Sequence, residues 1–520
     1  MKLLKSTALV SSMTFISRVL GLLREIVFAR WFGASAATDA FFVAFKIPNF
    51  LRRLFAEGAF SLAFVPILSE YRQKGDQQAL KSLIDAVTGT LMSVLLVITA
   101  IGIFAAPAIM MVFAPGWYID GRESFELATQ MLRITFPYIL LISLTALAGG
   151  ILNTFERFLL PALTPALLNI SFITAAICFS DKFEQPVEAL AWAVLVAGFL
   201  QLLVQFPALA RHGLMPRPRF NWKHSGVRRI LKLMIPTLIG SSVAQINLLF
   251  DTLIASFLIV GSVSWLSYSD RLMEFPIGVF GVALSTVILP SLARKHTATD
   301  TRAFSATIDW ALRVALVITI PAAVALAVLA VPLLATMFQY QAFSANDVYM
   351  SSLSLMAYAA GLPAFIAIKV LAPGFYARQD TKTPMKIGIF ALVINMVFNL
   401  AFVGSMLWLD IPGAHAGLAL ASGVSAWLNA GLLYYSLKKQ GHYQPEPGWS
   451  RVVIAIVAAS LLMAVGLYFI SPSLSSWSDF QVANRVSWLA GLIISGVLIY
   501  ALASLLFGLR IQDLKRGAEH

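Results

Sequence analysis

Long apolar runs broken by short polar turns recur from one end of the chain to the other. Fourteen can be counted, near residues 7–31, 35–56, 84–113, 127–152, 162–180, 187–210, 230–258, 271–293, 307–334, 348–372, 384–404, 414–437, 452–472 and 486–509. About 20 apolar residues carry a helix across the hydrocarbon core of a bilayer, so each run predicts a spanning helix. The fold class expected is an all-α polytopic membrane protein of about 14 transmembrane helices, and the even number puts both termini on one side.

Short strings also recur at a nearly fixed offset. Gly58 and Phe60 in RRLFAEGAF match Gly278 and Phe280 in DRLMEFPIGVF, 220 residues on, and each string is soon followed by a proline turn. Phe155 in LNTFERFLLP matches Phe375 in APGFYARQDTKTP at the same offset, and Gln201 matches Asn429 at 228. Three matches in the same order predict two pseudo-symmetric six-helix lobes, parallel repeats about an axis along the membrane normal. The expected organisation is an N-terminal lobe over 1–213, a cytoplasmic linker over 214–229, a C-terminal lobe over 230–441, and helices 13 and 14 with a tail over 442–520.

Composition agrees with a membrane protein: of 520 residues, 59% are hydrophobic and 12% charged, which no soluble domain approaches. The net charge of +13 invites a nucleic-acid partner until the basic residues are placed. Of the 38 Lys and Arg, 25 fall in connectors of one side, over eight separate segments, and only Arg122, Lys182 and Arg485 in those of the other; the remaining ten lie in or at the ends of runs. That bias puts both termini in the cytoplasm and removes the nucleic-acid reading. The chain's single cysteine, Cys178, excludes an internal disulfide and a thiolate metal site and reads as a packing residue. The N-terminus resembles a signal peptide, but Arg18, Arg24 and Arg30 interrupt it, so it reads as a retained first helix.

The first two runs carry the chemistry. Between Arg18 and Arg53 they hold Arg18, Arg24, Glu25, Asp39, Lys46, Asn49, Arg52 and Arg53. Arg18 and Glu25 are seven residues apart on one helix face, and Asp39, Lys46 and Arg53 repeat that spacing. An ionised group at mid-bilayer costs about 2.5–3.5 kcal/mol even on lenient scales, so this stripe is expected to line a wet cavity and meet charges or a ligand. An ion-pair network with Glu25, Asp39 and Glu57 would account for part of it. Cations exceed carboxylates, however, and arginine's planar fork suits phosphate oxygens, so the expected ligand is anionic and phosphorylated. In the second half, Arg271 stands by Asp270 and Glu274, as a salt bridge or as part of the same site, and Lys369 lies late in the tenth run.

No Gly-Lys dipeptide occurs, so no ATP P-loop is present; H-E-x-x-H and G-x-S-x-G are absent too. Coupling to Na+ or H+ is expected in place of ATP. Asp251, one turn from Asn247, and Asn395 and Asn399, also one turn apart, offer hard oxygens for Na+; interhelical hydrogen bonding explains the asparagines equally well. A membrane-embedded prenyl-phosphate transferase would need an acidic cluster for Mg2+, whereas the polar cluster is rich in arginine. Helices 13 and 14, apolar all round between Val452–Ile470 and Val486–Leu509, are expected to face lipid or one another and to form a groove for a long apolar chain.

The stretches SRVLGLLREIVFARWFGASAATDAFFVAFKIPNFLRRLFAEGAFSLAFVPILSEY, ITFPYILLISLTALAGGILNTFERF, SDRLMEFPIGVFGVAL and KVLAPGFYARQDTKTP closely resemble the MurJ (MviN) lipid II flippase family of the MOP exporter superfamily. The resemblance covers nearly the whole chain. It implies movement of lipid-linked peptidoglycan precursor, lipid II, from the inner to the outer leaflet of the bacterial cytoplasmic (inner) membrane by alternating access. It also implies a tail groove at helices 13 and 14 and membrane lipids and cell-wall synthesis machinery as partners. The family's cavity arginines fall on Arg18, Arg24, Arg52 and Arg271, with Asp39 and Glu274 nearby. A flippase for another polyprenyl-diphosphate-linked glycan shares the architecture and stands as the alternative, beside the transferase.

Overall fold

The computed structural model describes residues 2–53, 60–298 and 300–509, with side chains described except at 2–11, 62, 236–245 and 474–475. Glu57, Gly58 and the basic residues Arg510, Lys515 and Arg516, all used in the sequence reading, lie outside the described residues. Among those described, the regular structure is helical and no strand occurs. Eleven helices, from Gln77–Phe104 to Val482–Leu506, are long and apolar enough to cross a membrane, and each falls on one of the predicted runs. The other three runs hold the helices Lys2–Phe32, Ala36–Leu51 and Ser225–Ala255. The first of these carries Arg18, Arg24, Glu25 and Arg30, the second, of 16 residues, Asp39 and Lys46, and the third Asp251.

Helix starts follow from local chemistry. Ser35 caps Ala36–Leu51 by accepting from the Thr38 amide, and Asp76 caps Gln77–Phe104 by accepting from the amides of Gln78 and Ala79. Ser344 and Asp347 form a reciprocal capping box at the start of Ala345–Tyr376. The turns are π-wide at Arg52, Arg53 and Phe60 and again at Ile277–Gly281, a departure from regular helix that is frequent at functional sites. Phe60 and Phe280 stand at the 220-residue offset noted in the sequence.

Two compact units make up the chain, Met1–Ser264 and Trp265–His520. The first therefore takes in Ser225–Ala255, which the repeat expected from the sequence places in the C-terminal lobe. The first unit packs Phe64, Ile67, Leu83, Ile84, Ile151 and Leu152 into a dry core. In the second, Ile308, Leu362, Ile366, Phe375, Leu437 and Tyr443 do the same. There the helices Ala345–Tyr376 and Ala416–Lys439 cross at Gly361 and Gly423, where a Cβ on Gly361 would sit 2.6 Å from the Gly423 Cα. Small residues permit such close approach between membrane helices, whose association lacks a hydrophobic drive.

Large apolar side chains cover the outside: Phe104 and Trp408 are each 84% exposed and Phe469 and Leu506 81%. A soluble protein does not present such a surface, whereas hydrocarbon solvates it. Cys178 belongs to that surface, exposed at the end of Leu159–Cys178 and not packed inside as its apolar run suggested. The last helix also begins earlier than predicted, at Val482. It thereby takes in Arg485, which is buried and donates to the carbonyls of Ala335, Gln339, Ser478 and Phe480.

Candidate functional site

In the first unit, Arg24 sits with its side chain 12% exposed, ion-paired to Glu25, which is 3% exposed. Its other terminal nitrogen donates to Asn169 Oδ1 at 3.0 Å, and the guanidinium lies against the rings of Phe28 and Phe172, 5.7 and 5.5 Å from their centroids. Asn169 Nδ2 in turn donates to the Ser17 carbonyl at 3.0 Å, tying Leu159–Cys178 to the first helix. Asn169 was missed from sequence; its signal is a lone amide in the otherwise apolar run LLPALTPALLNISFITAAIC. Arg18, two turns before Glu25 on the same helix, is exposed and has no polar partner among the described residues.

On Ala36–Leu51, Lys46 Nζ donates to Thr252 Oγ1 at 3.0 Å, and the Arg52 guanidinium grips Asn49 Oδ1 through two nitrogens at 3.0 and 2.9 Å. Asp39 does something the sequence did not disclose. It is 3% exposed, and its carboxylate accepts from the backbone amides of Gly261 and Ser264 at 2.7 and 2.8 Å and from the Ser264 hydroxyl at 2.5 Å. It thus caps the helix that starts at Ser262, across more than 220 residues of chain.

In the second unit, Arg271 and Glu274 form a salt bridge at 2.8 Å with both side chains more than two-fifths exposed. An accessible pair of this kind contributes little to stability and exchanges readily for another anion. Lys369 packs its aliphatic stem against Gly281, inside the π-wide segment. Asn399 Nδ2 donates to Asn395 Oδ1 at 3.1 Å, both side chains buried, so the pair makes the hydrogen bond that the one-turn spacing allows. Asp251, the third member of the expected ion site, belongs to the first unit. No cluster of three His, Cys, Asp or Glu able to hold a metal occurs among the described residues. Arg24 and Arg271 each pair with a carboxylate, Glu25 and Glu274; Lys46 lies within reach of the Asp39 charge as well as of Thr252, and Arg52 holds Asn49.

The chain is similar along its whole length to known proteins. A family model described as "Lipid II flippase MurJ" matches residues 28–509. A relative from Vibrio cholerae serotype O1 named probable lipid II flippase MurJ is 46% identical, over 100% of this chain and 98% of its own. One from Burkholderia cenocepacia named lipid II flippase MurJ is 44% identical over the full length of both. A solved structure described as lipid II flippase MurJ in an inward closed conformation superposes with a TM-score of 0.79 at 29% identity, covering 96% of this chain and 98% of that one. A multidrug-resistance MATE transporter of the MOP superfamily, inward-facing, shares the fold at 15% identity with a TM-score of 0.67, covering 84% of this chain and 98% of that one. A match over so much of the chain, together with full-length relatives at this identity, shows that the chain belongs to the lipid II flippase MurJ family.

Proposed function

We propose that this protein moves lipid II from the inner to the outer leaflet of the cytoplasmic membrane, by alternating access and without chemical change to its cargo. The observation that carries the proposal is the near-complete match to lipid II flippases, joined to a set of cations on otherwise apolar helices. Arg18 is exposed, and Arg271 and its partner Glu274 are each more than two-fifths exposed. A diphosphate-sugar headgroup crossing hydrocarbon bare would bear a prohibitive desolvation cost, and fixed guanidinium groups replace the water it leaves. The headgroup is captured by Arg18, Arg24, Arg52 and Arg271 while the polyprenyl tail stays in lipid beside the last two helices. Both termini face the cytoplasm on the strength of the basic-residue bias. Ion or potential coupling and contact with cell-wall synthesis proteins complete the proposal.

The test is a leaflet-accessibility assay for lipid II in cells rapidly depleted of the protein. Lipid II is expected to accumulate on the inner side, and re-expression is expected to restore outer-leaflet exposure. Undiminished outer exposure after depletion, in cells with no second flippase, would refute the proposal.

A further inference from the structure

A second cationic cluster lies apart from the arginines above, in the second unit, where four helix ends meet. A cavity of about 150 Å3 is lined by Lys295, His296, Asp300, Thr301, Phe304, Arg378 and His442. The residues come from the end of Ser262–Thr297, the start of Thr301–Val328, and the turns after Ala345–Tyr376 and Ala416–Lys439. The basic-residue bias assigns this face to the cytoplasm. We propose that this pocket binds a phosphate group, carried either by an anionic phospholipid of the inner leaflet or by a soluble phosphate compound.

Local structural needs consume only part of the positive charge. Lys295 donates to Thr307 Oγ1 at 2.6 Å, and Arg378 donates through Nε to the Gly374 carbonyl and through one terminal nitrogen to Gln440 Oε1, both at 3.0 Å. The other terminal nitrogen of Arg378 and both imidazoles make no hydrogen bond among the described residues. The carboxylate in the lining, Asp300, is occupied in capping: it accepts from the Ala303 amide at 2.8 Å. The start of the 28-residue helix Thr301–Val328 adds the positive end of its dipole. Helix C-termini alone would favour some of these cations, but they do not call for two histidines beside an arginine.

The cluster also works against itself. Burial draws the Arg378 guanidinium down, Asp380 opposing, and burial, then Arg378, then His296 draw the His442 imidazole down. Charged groups facing the pocket are Lys295 and His296 at the end of the first helix, with Arg294 beside them, and Asp300 at the start of the second. Arg378 and Asp380 come from the turn after the third helix and His442 from the turn after the fourth. A bound phosphate relieves the repulsion among them and lets His442 take up a proton. Binding therefore strengthens as pH falls, by at most about tenfold per pH unit for each proton taken up.

The experiment uses the purified full-length protein in uncharged detergent, at ionic strength fixed with chloride, titrated calorimetrically with three probes: inorganic phosphate, a short-chain phosphatidylglycerol and the matching phosphatidylcholine. Arg378→Gln should weaken binding about tenfold, the loss of one charge-assisted hydrogen bond. Because Arg378 also holds Gln440, the second variant is His296→Glu, at an exposed position without hydrogen bonds; it places an anion in the pocket and should abolish binding there while leaving the thermal transition unchanged. Only the component lost in His296→Glu is assigned to the pocket. Phosphatidylglycerol binding without phosphate binding identifies a lipid headgroup, and comparable binding of phosphate identifies a soluble source. If neither probe exceeds phosphatidylcholine, or if His296→Glu leaves binding and its pH dependence intact, the site does not exist.

Discussion

Arg24 offers a way to separate a structural ion pair from a ligand-binding cation. Its partner Glu25 is 3% exposed, so Arg24→Met removes the ion pair of a buried carboxylate and takes from Asn169 Oδ1 the Arg24 donor. Breaking a buried pair from one side costs about 3–5 kcal/mol, which is enough to explain lost function by unfolding alone. Removing both charges, in Arg24→Met/Glu25→Met, eliminates the buried carboxylate along with its ion pair, and apolar replacement of a buried pair is often neutral or stabilising by about 1–4 kcal/mol. The double variant should therefore regain the thermal stability in detergent that the single one loses, less about 1 kcal/mol for the unmade bond to Asn169. Were Arg24 only half of a structural pair, function would return with stability. As a headgroup ligand it is irreplaceable, so the stable double variant should still fail to complement a depleted strain and should still trap lipid II on the inner side. A double variant that is stable and supports wild-type growth and lipid II exposure would refute the assignment of Arg24 to the headgroup.

Other consequences are equally open to measurement. Periplasm-active reporters fused near Trp117 or Ser262 should be active and those near Lys223 or Lys439 inactive; reversal at any of these sites breaks the topology. Asp309 is 1% exposed and holds Arg313 at 2.8 Å, the Tyr443 hydroxyl at 2.8 Å and the Trp449 indole at 2.6 Å. Asp309→Ala should consequently cost about 3–5 kcal/mol, read as a lowered thermal transition, with an unchanged transition counting against the network. If transport is coupled to an ion gradient or the membrane potential, collapsing the potential in cells that retain ATP should halt lipid II exposure, since about 2.3 kcal/mol per charge per 100 mV would be lost; continued full-rate exposure would point to substrate supply as the drive.

Apolar runs were enough to find eleven spanning helices because, in lipid, backbone amides leave few alternatives, while the shorter helix Ser61–Gln73 lies outside every run. They located the helix ends less well. The eighth run reads as starting near Asp270, since SVSWLSYS is rich in hydroxyls, yet the helix starts at Ser262, with Ser264 donating to Asp39 and Ser269 to the carbonyls of Trp265 and Ser351. The cationic residues were legible because charge in a membrane helix demands explanation. Near partners were legible too, Glu274 for Arg271 and Glu25 in the ion-pair network, but distant ones were not: nothing local marks Asn169 and Thr252 as partners. Asp39 illustrates the same limit, its charge evident and its use as a cap for a turn 222 residues away recoverable only from the fold.

The network at Asp309 changes how the last two helices can be studied. The linker HYQPEPGW looks like a natural place to cut, yet it supplies the Tyr443 hydroxyl, the Glu446 amide and the Trp449 indole to Asp309, and the carbonyls of Glu446 and Pro447 to Arg313. A deletion beginning after Lys439 would thus uncover a buried acid and base in the core that remains, and its failure would say nothing of the two helices removed. A deletion that retains the chain through Ser450 keeps the seal closed and asks the intended question.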